Sequence, residues 1–208
     1  GQMEGVEMYE YEQEAYAQGF RAVCGVDEAG RGPLAGDVYA AAVILPQGLE
    51  IPGIDDSKKL SAKKREQLYE QICTQAAAYC ISSATVEEID RLNILQASML
   101  AMRRAVAGLS ICPDLALVDG NRDPAFPDGL ACRTIVHGDA RSGSIAAASI
   151  LAKVARDRYM KALDAKYPAY AFSKHKGYGT KLHYQMLDEN GVSPVHRRTF
   201  LKKWEAGR

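Results

Sequence analysis

The chain lacks the features that would make several readings easy. No run of apolar residues approaches the roughly 18 needed to span a bilayer, so a membrane-spanning helix is not expected. The first 20 residues have no basic region and no apolar core, and so do not read as a secretory leader. The five cysteines, Cys24, Cys73, Cys80, Cys112 and Cys132, are odd in number and form no C-x-x-C pair. That argues against a structural zinc site or a disulfide framework, and for buried free thiols in a reducing compartment. The cytoplasm is therefore the expected location. The glycines fit neither G-x-x-x-x-G-K-[ST] nor G-x-G-x-x-G, which excludes the two commonest nucleotide-binding loops. Formal net charge is zero, so no bulk electrostatic argument for a polyanionic partner exists. Repeats and low-complexity tracts are absent too.

What is present is an ordinary globular composition, 47% hydrophobic and 25% charged over 208 residues, enough for one sizeable core. Charge is unevenly placed. Residues 1–20 hold Glu4, Glu7, Glu10, Glu12 and Glu14 and no Lys or Arg. Residues 151–208 hold thirteen Lys or Arg against five Asp or Glu, which suits a solvated basic surface or a docking site for nucleic acid.

The pattern predicts a short helix over residues 6–19, then a strand over 22–26 and a second over 38–45, paired as antiparallel neighbours. Ser61 caps a helix running to about residue 77, and residues 78–86 read as a strand. Thr85-Val86-Glu87-Glu88 has the form of a capping box opening a helical stretch, and a further helix runs to Gly108. Residues 115–118 and 132–136 read as short strands, and residues 144–167 as one long helix. This order implies an α/β domain with a mixed sheet and a helical tail. Three segments are expected: an acidic helical piece over 1–19, a catalytic domain over 20–167 and a helical substrate-binding region over 168–208.

Asp27 and Glu28 carry the most information. They close an apolar strand and lead into Ala29-Gly30-Arg31-Gly32-Pro33-Leu34-Ala35-Gly36. Adjacent carboxylates at a buried strand end are costly unless a cation compensates them. A bare glycine loop with one Arg lets a ligand approach main-chain N–H groups. Turn chemistry alone would also account for the pair. Two other strands end in acids: Asp119, in an Asp-Gly that serves equally as a turn, and Asp139, just beyond the strand at 132–136. If those ends share one sheet edge, four carboxylates converge. An all-oxygen set without His or Cys suits Mg²⁺ or Mn²⁺ rather than Zn²⁺. A cluster of this kind supports phosphoryl displacement with two cations.

On the long helix Ser149, Lys153 and Asp157 share a face at i, i+4, i+8, although Asp157 could serve only as an ion-pair partner of Lys153. Lys174-His175-Lys176-Gly177-Tyr178-Gly179-Thr180 offers cations, a hydroxyl and a ring between glycines. Tyr178 could stack on a sugar or bond a 2′-OH, or simply cover the core edge. Arg197, Arg198, Lys202 and Lys203 read as phosphate contacts.

Together these segments resemble the type 2 ribonucleases H, the bacterial ribonuclease HII family. The resemblance rests on residues 25–36, Asp56-Ser57-Lys58-Lys59-Leu60, Val118-Asp119-Gly120-Asn121, Gly138-Asp139, residues 146–157 and residues 175–180, in family order over most of residues 20–200. One departure is Asp37, where the family usually has Pro. The resemblance implies a ribonuclease H-like fold with a C-terminal helical extension. It implies an endonuclease, producing 5′-phosphomonoesters, that cuts the RNA strand of RNA–DNA hybrids and incises 5′ of a ribonucleotide in duplex DNA. Ribonucleotide excision repair and primer removal are the implied roles. Asp27, Glu28, Asp119 and Asp139 match the metal-binding acids, with Asp157 as an accessory acid. Gly30, Arg31, Gly32, Ser57, Lys58, Ser149, Lys153, Lys176, Tyr178 and Arg197 match substrate-contacting positions, with Tyr178 at the RNA–DNA junction. A monomer acting on nucleic acid, not on membranes, is expected. A non-catalytic hybrid-binding module and a type 3 ribonuclease H remain the alternatives.

Overall fold

A computed structural model gives the architecture, and it describes residues 7–208. The expected helix over residues 6–19 is shorter, Glu10–Ala17 (α1), and the part of the acidic segment over residues 1–6 lies outside the described residues. Five strands follow in one mixed sheet. They are Val23–Ala29 (β1), Val38–Ile44 (β2), Ala78–Ala84 (β3), Leu115–Asp119 (β4) and Ala131–Ile135 (β5). The order across the sheet is β3-β2-β1-β4-β5. β1 pairs antiparallel with β2, as expected, and parallel with β4. β4 in turn pairs parallel with β5.

The central strand β1 sorts its residues between two helical layers because successive side chains alternate across a sheet. Cys24 and Val26 face the layer of Ile94–Ala107 (α4), whose Ala97, Ala101 and Ala105 present a smooth surface. Val23, Gly25 and Asp27 face the other side, where Gly143–Lys166 (α5) crosses together with Ala62–Gln75 (α2). Gly25 is there because the helix is so close. A Cβ built on it would lie 2.1 Å from the Ser144 carbonyl carbon and 2.4 Å from the Ile145 nitrogen. On β2, Ala41 packs on the same side against Ala146-Ala147-Ala148 of α5, while Ala40 and Ala42 face α4, so small side chains let both helices approach this strand.

The caps match the sequence expectations. Ser61 accepts from the Lys64 N–H at the start of α2, and Thr85 with Glu88 forms a capping box on Val86–Leu92 (α3). Beyond α5 the chain folds into Phe172–His175 (α6), Lys181–Asn190 (α7) and Lys202–Ala206 (α8). Phe172, Leu187 and Leu201 pack with Leu34 and Ala35 of the glycine loop and with Met160 of α5. The helical tail and the loop after β1 therefore share one core. Of the cysteines only Cys24 is buried, while Cys112 is exposed and the rest are half-buried, so the expected set of buried thiols reduces to one. No helix among the described residues is long and apolar enough to cross a membrane.

Candidate active site

Asp27 and Glu28 lie inside β1 rather than after it. In the parallel pairing Val26 sits beside Val118, so Asp27 and Asp119 occupy neighbouring positions on adjacent strands. Asp139 sits four residues past β5 in a single tight turn, Gly138–Ala140. Its own N–H donates to Asp119 Oδ1 at 3.2 Å. Three carboxylates from three different elements thus converge, each offering an oxygen within 4.8 Å of the others. Glu28 points to the opposite face of β1. There it lines, with Arg31, Asp119, Ser98 and Met102, a recess of about 110 Å³, and it also reaches the edge of the larger cleft that holds the three aspartates. The structure therefore gathers three of the four expected acids into one tight group and sets Glu28 at its margin.

The electrostatics are those of a site waiting for positive charge. Burial, then the neighbouring charges of Glu28 and Asp119, holds Asp27 well above the usual carboxylate range. Burial, then Asp119 and Asp56, pushes Asp139 up to about 6. Glu28 is also raised by burial, and Arg31 pulls it the other way. Among the described residues only Lys58 comes within ion-pair distance of the three aspartates, with Nζ 3.9 Å from Asp139 Oδ2. A purely oxygen donor set of this kind fits a hard divalent cation.

Around the acids lies a cleft of about 270 Å³. Gly30, Arg31 and Gly32 form one wall, and Ser57, Lys58, Ser149 and Lys153 another. Ser57 and Ser149 share a buried hydroxyl–hydroxyl hydrogen bond of 2.8 Å, which ties the loop before α2 to α5. Tyr178 is 40% exposed and reaches the same cleft. It sits opposite Gly32, where an added Cβ would find its ring at 3.7 Å.

Not every expected residue arrives there. Asp157 pairs with Lys153 at 3.1 Å and, like Lys176, lines a neighbouring groove rather than the acid cleft. Arg197 requires a correction. It is fully buried and donates to the carbonyls of Gly30, Arg31, Pro33 and Gly36. A side chain with no exposed surface cannot touch phosphate, so the basic excess of the tail overstates its free charge. Arg198, by contrast, is exposed and paired with Glu205.

Sequence reading gave Arg156 and the buried histidines no role of their own, because a single basic residue on a helix reads as surface. Arg156 is 1% exposed and donates to Ala35, Asp37 and Lys176 carbonyls. Asp37 also uses its N–H, donating to the Tyr159 hydroxyl at 3.1 Å, a bond that proline could not make. Behind Tyr178, three buried histidines form a chain. Gly177 N–H donates to His175 Nδ1, and so His175 Nε2 donates to the Tyr170 carbonyl. His183 Nδ1 must donate to the Tyr178 carbonyl, leaving its Nε2 to accept from His196 Nε2 at 2.8 Å. Each ring holds one proton in this arrangement. Burial accordingly lowers His183 to about 4 and His196 to about 3.

The sequence matches the family model described as Ribonuclease HII over residues 24–203. The chain belongs to the ribonuclease HII family. It is 61% identical over 176 residues to Ribonuclease HII 1 of Methylibium petroleiphilum, covering 85% of this chain and 88% of that one. It is 59% identical over 180 residues to the Ribonuclease HII of Laribacter hongkongensis, covering 86% and 91%. Among solved structures it resembles the ribonuclease H2 of Pyrococcus horikoshii, with 28% identity and a TM-score of 0.76 over 90% of this chain and 98% of that one. The fold is the ribonuclease H type, and ribonuclease H activity, endonucleolytic and directed at RNA–DNA hybrids, goes with the family. Dependence on a divalent metal goes with it too, and Asp27, Asp119 and Asp139 fit such a metal.

Proposed function

We propose that this ribonuclease HII incises duplex DNA on the 5′ side of a single embedded ribonucleotide, as well as cutting continuous RNA–DNA hybrids, using two Mg²⁺ or Mn²⁺ ions. The observation that carries this reading is the sharing of one cleft by the aspartate cluster, the Gly30–Gly32 backbone and Tyr178. Chemistry on a phosphodiester and recognition of one adjacent hydroxyl need to lie within a nucleotide of each other. In this reading Asp27, Asp119 and Asp139 hold the cations, with Glu28 completing the set from the margin of the cleft. When bound, such cations supply Lewis-acid stabilisation of charge on the phosphate and leaving oxygen, and lower the pKa of an attacking water.

The remaining residues position the strand. Gly30, Arg31 and Gly32 read the 2′-OH and the neighbouring phosphate through main-chain groups, since that hydroxyl is what distinguishes RNA from DNA there. Tyr178 bonds the hydroxyl and stacks on the next sugar. Lys58 and Lys153 face the phosphate track, with Ser57 and Ser149 shaping its floor. The neighbouring groove, which includes Lys63, Lys161 and Lys176, carries the duplex backbone onward. Ribonucleotide excision and primer removal in the cytoplasm, by a monomer, are the setting this chemistry suits.

The test is incision of a labelled duplex with one ribonucleotide, in Mg²⁺ or Mn²⁺, by the wild type and by Asp119→Asn. The expected result is a single 5′ nick by the wild type and none by the variant. A duplex bound but left uncut in both metals would favour a hybrid-binding module. Cutting of hybrids without the single-ribonucleotide nick would favour type 3 behaviour.

A further inference from the structure

Two buried arginines stand against the glycine loop without a carboxylate partner. Neither Arg156 nor Arg197 forms a salt bridge among the described residues. A buried guanidinium is costly unless its donors are satisfied, and here main-chain carbonyls satisfy them. Arg197 donates from Nη2 to Gly30 at 2.7 Å, from Nη1 to Arg31 at 3.0 Å and Pro33 at 2.8 Å, and from Nε to Gly36 at 2.8 Å. Arg156 donates to Asp37, Ala35 and Lys176 at 2.8–3.0 Å. Gly30 has φ +92°, and a Cβ there would meet Arg156 Nε at 2.1 Å, so glycine is what lets this side chain pass.

The consequence follows from peptide geometry. In a planar trans peptide the C=O of one residue and the N–H of the next point in opposite directions. With the Gly30 and Arg31 carbonyls drawn onto Arg197, the N–H groups of Arg31 and Gly32 are turned away from it. Both residues are exposed, and neither N–H has an acceptor among the described residues. Nearby loop amides are otherwise used: Leu34 N–H donates to Gly177 and Gly36 N–H to Val195.

We propose that Arg197 and Arg156 are positioning residues that fix the glycine loop's peptide planes, so that the Arg31 and Gly32 N–H groups form a preset pair of donors for the substrate's ribose hydroxyl and adjoining phosphate oxygen. Arg156 also sets the gap to Tyr178, because its contact with the Lys176 carbonyl anchors that segment to the loop. This rests on the single-ribonucleotide reading above and deepens it. A lysine in place of either arginine keeps the charge but has no planar fork with which to hold several carbonyls at once.

The experiment measures kcat and KM of Arg197→Lys and Arg156→Lys on a duplex with one ribonucleotide, together with the Mn²⁺-induced rise in melting temperature. The expected result is a fall in kcat on the order of tenfold or more, with KM little changed and the Mn²⁺ response intact. Arg197→Ala should regain part of its rate when free guanidinium is added. Wild-type kcat in a folded Arg197→Lys overturns the proposal, as does loss of the Mn²⁺ response together with kcat, which would mark general collapse of the site. On the wild type, amide exchange at Arg31 and Gly32 should be fast in the free protein and slowed by an uncleaved one-ribonucleotide duplex in Ca²⁺. Unchanged exchange at both amides also overturns it. A wild type that binds but never cuts this duplex refutes the activity reading instead, and the exchange measurement then still decides the donor pair.

Discussion

Asp27→Asn should make the metal-free protein more stable while abolishing cleavage. The three aspartates offer oxygens within 4.8 Å of one another. At that separation two full charges repel by about 3.5 kcal/mol with an effective dielectric of roughly 20. Removing Asp27 leaves one of the three pairs and also ends the cost of burying this carboxylate, which is 4% exposed. The wild type already escapes part of that repulsion by holding a proton, as the raised Asp27 and Asp139 values imply. The net gain is therefore smaller, on the order of 1–3 kcal/mol near neutral pH. For a chain of this size that is roughly 2–12 °C in melting temperature. Asparagine keeps the internal bond, since its Oδ1 can still accept the Glu28 N–H now held at 2.8 Å. A divalent cation should reverse the order. At a hundred times its Kd it stabilises the wild type by about 2.7 kcal/mol, and the variant should gain little. The assay is thermal unfolding in EDTA and in a Mn²⁺ series, alongside cleavage. A variant that melts below the wild type in EDTA, or that still cuts, would refute the argument that these carboxylates are held together for a cation.

Other expectations follow from the same geometry. Tyr178→Phe should slow cutting at an embedded ribonucleotide by about 5- to 100-fold, from loss of one hydrogen bond, and Tyr178→Ala should be slower still. A wild-type rate in Tyr178→Ala would remove this residue from junction reading. For the histidines, burial lowers His183 to about 4 and His196 to about 3, against an ordinary value of 6.5. The unfolded chain therefore takes up protons first as pH falls. Their stabilising contribution is complete above 6.5 and is lost progressively down to about 4 and 3, at about 1.4 kcal/mol per unit per group. Urea unfolding from pH 7 to 4.5 should show a shallower loss in His196→Gln than in the wild type, and equal slopes would contradict the assigned protonation. Finally, Lys63→Ala with Lys161→Ala should lower the salt slope of duplex binding by about 2, near 0.9 per lost phosphate contact. An unchanged slope would show that the groove beside the acid cleft is bare surface.

Local pattern determined a good deal of this protein. Apolar runs bounded by turns located all five strands, and Ser61 and Thr85 marked their helix starts, because caps depend on a few adjacent residues. The acids were legible for a related reason: a carboxylate closing an apolar strand is anomalous wherever the strand goes. That Asp27, Asp119 and Asp139 meet was decided by strand order. β4 lies parallel beside β1, and β5 beside β4, over sequence separations that no local rule covers. The period-two alternation of β1 then put Glu28 on the other face, which adjacency in sequence conceals. The basic residues were least legible. Arg197 and Arg156 look in sequence like the Lys and Arg around them, yet they lie in the interior bonded to carbonyls contributed from Gly30 to Lys176. Whether a guanidinium meets water, phosphate or a ring of carbonyls depends on what the rest of the chain packs around it, and only the tertiary structure decides that.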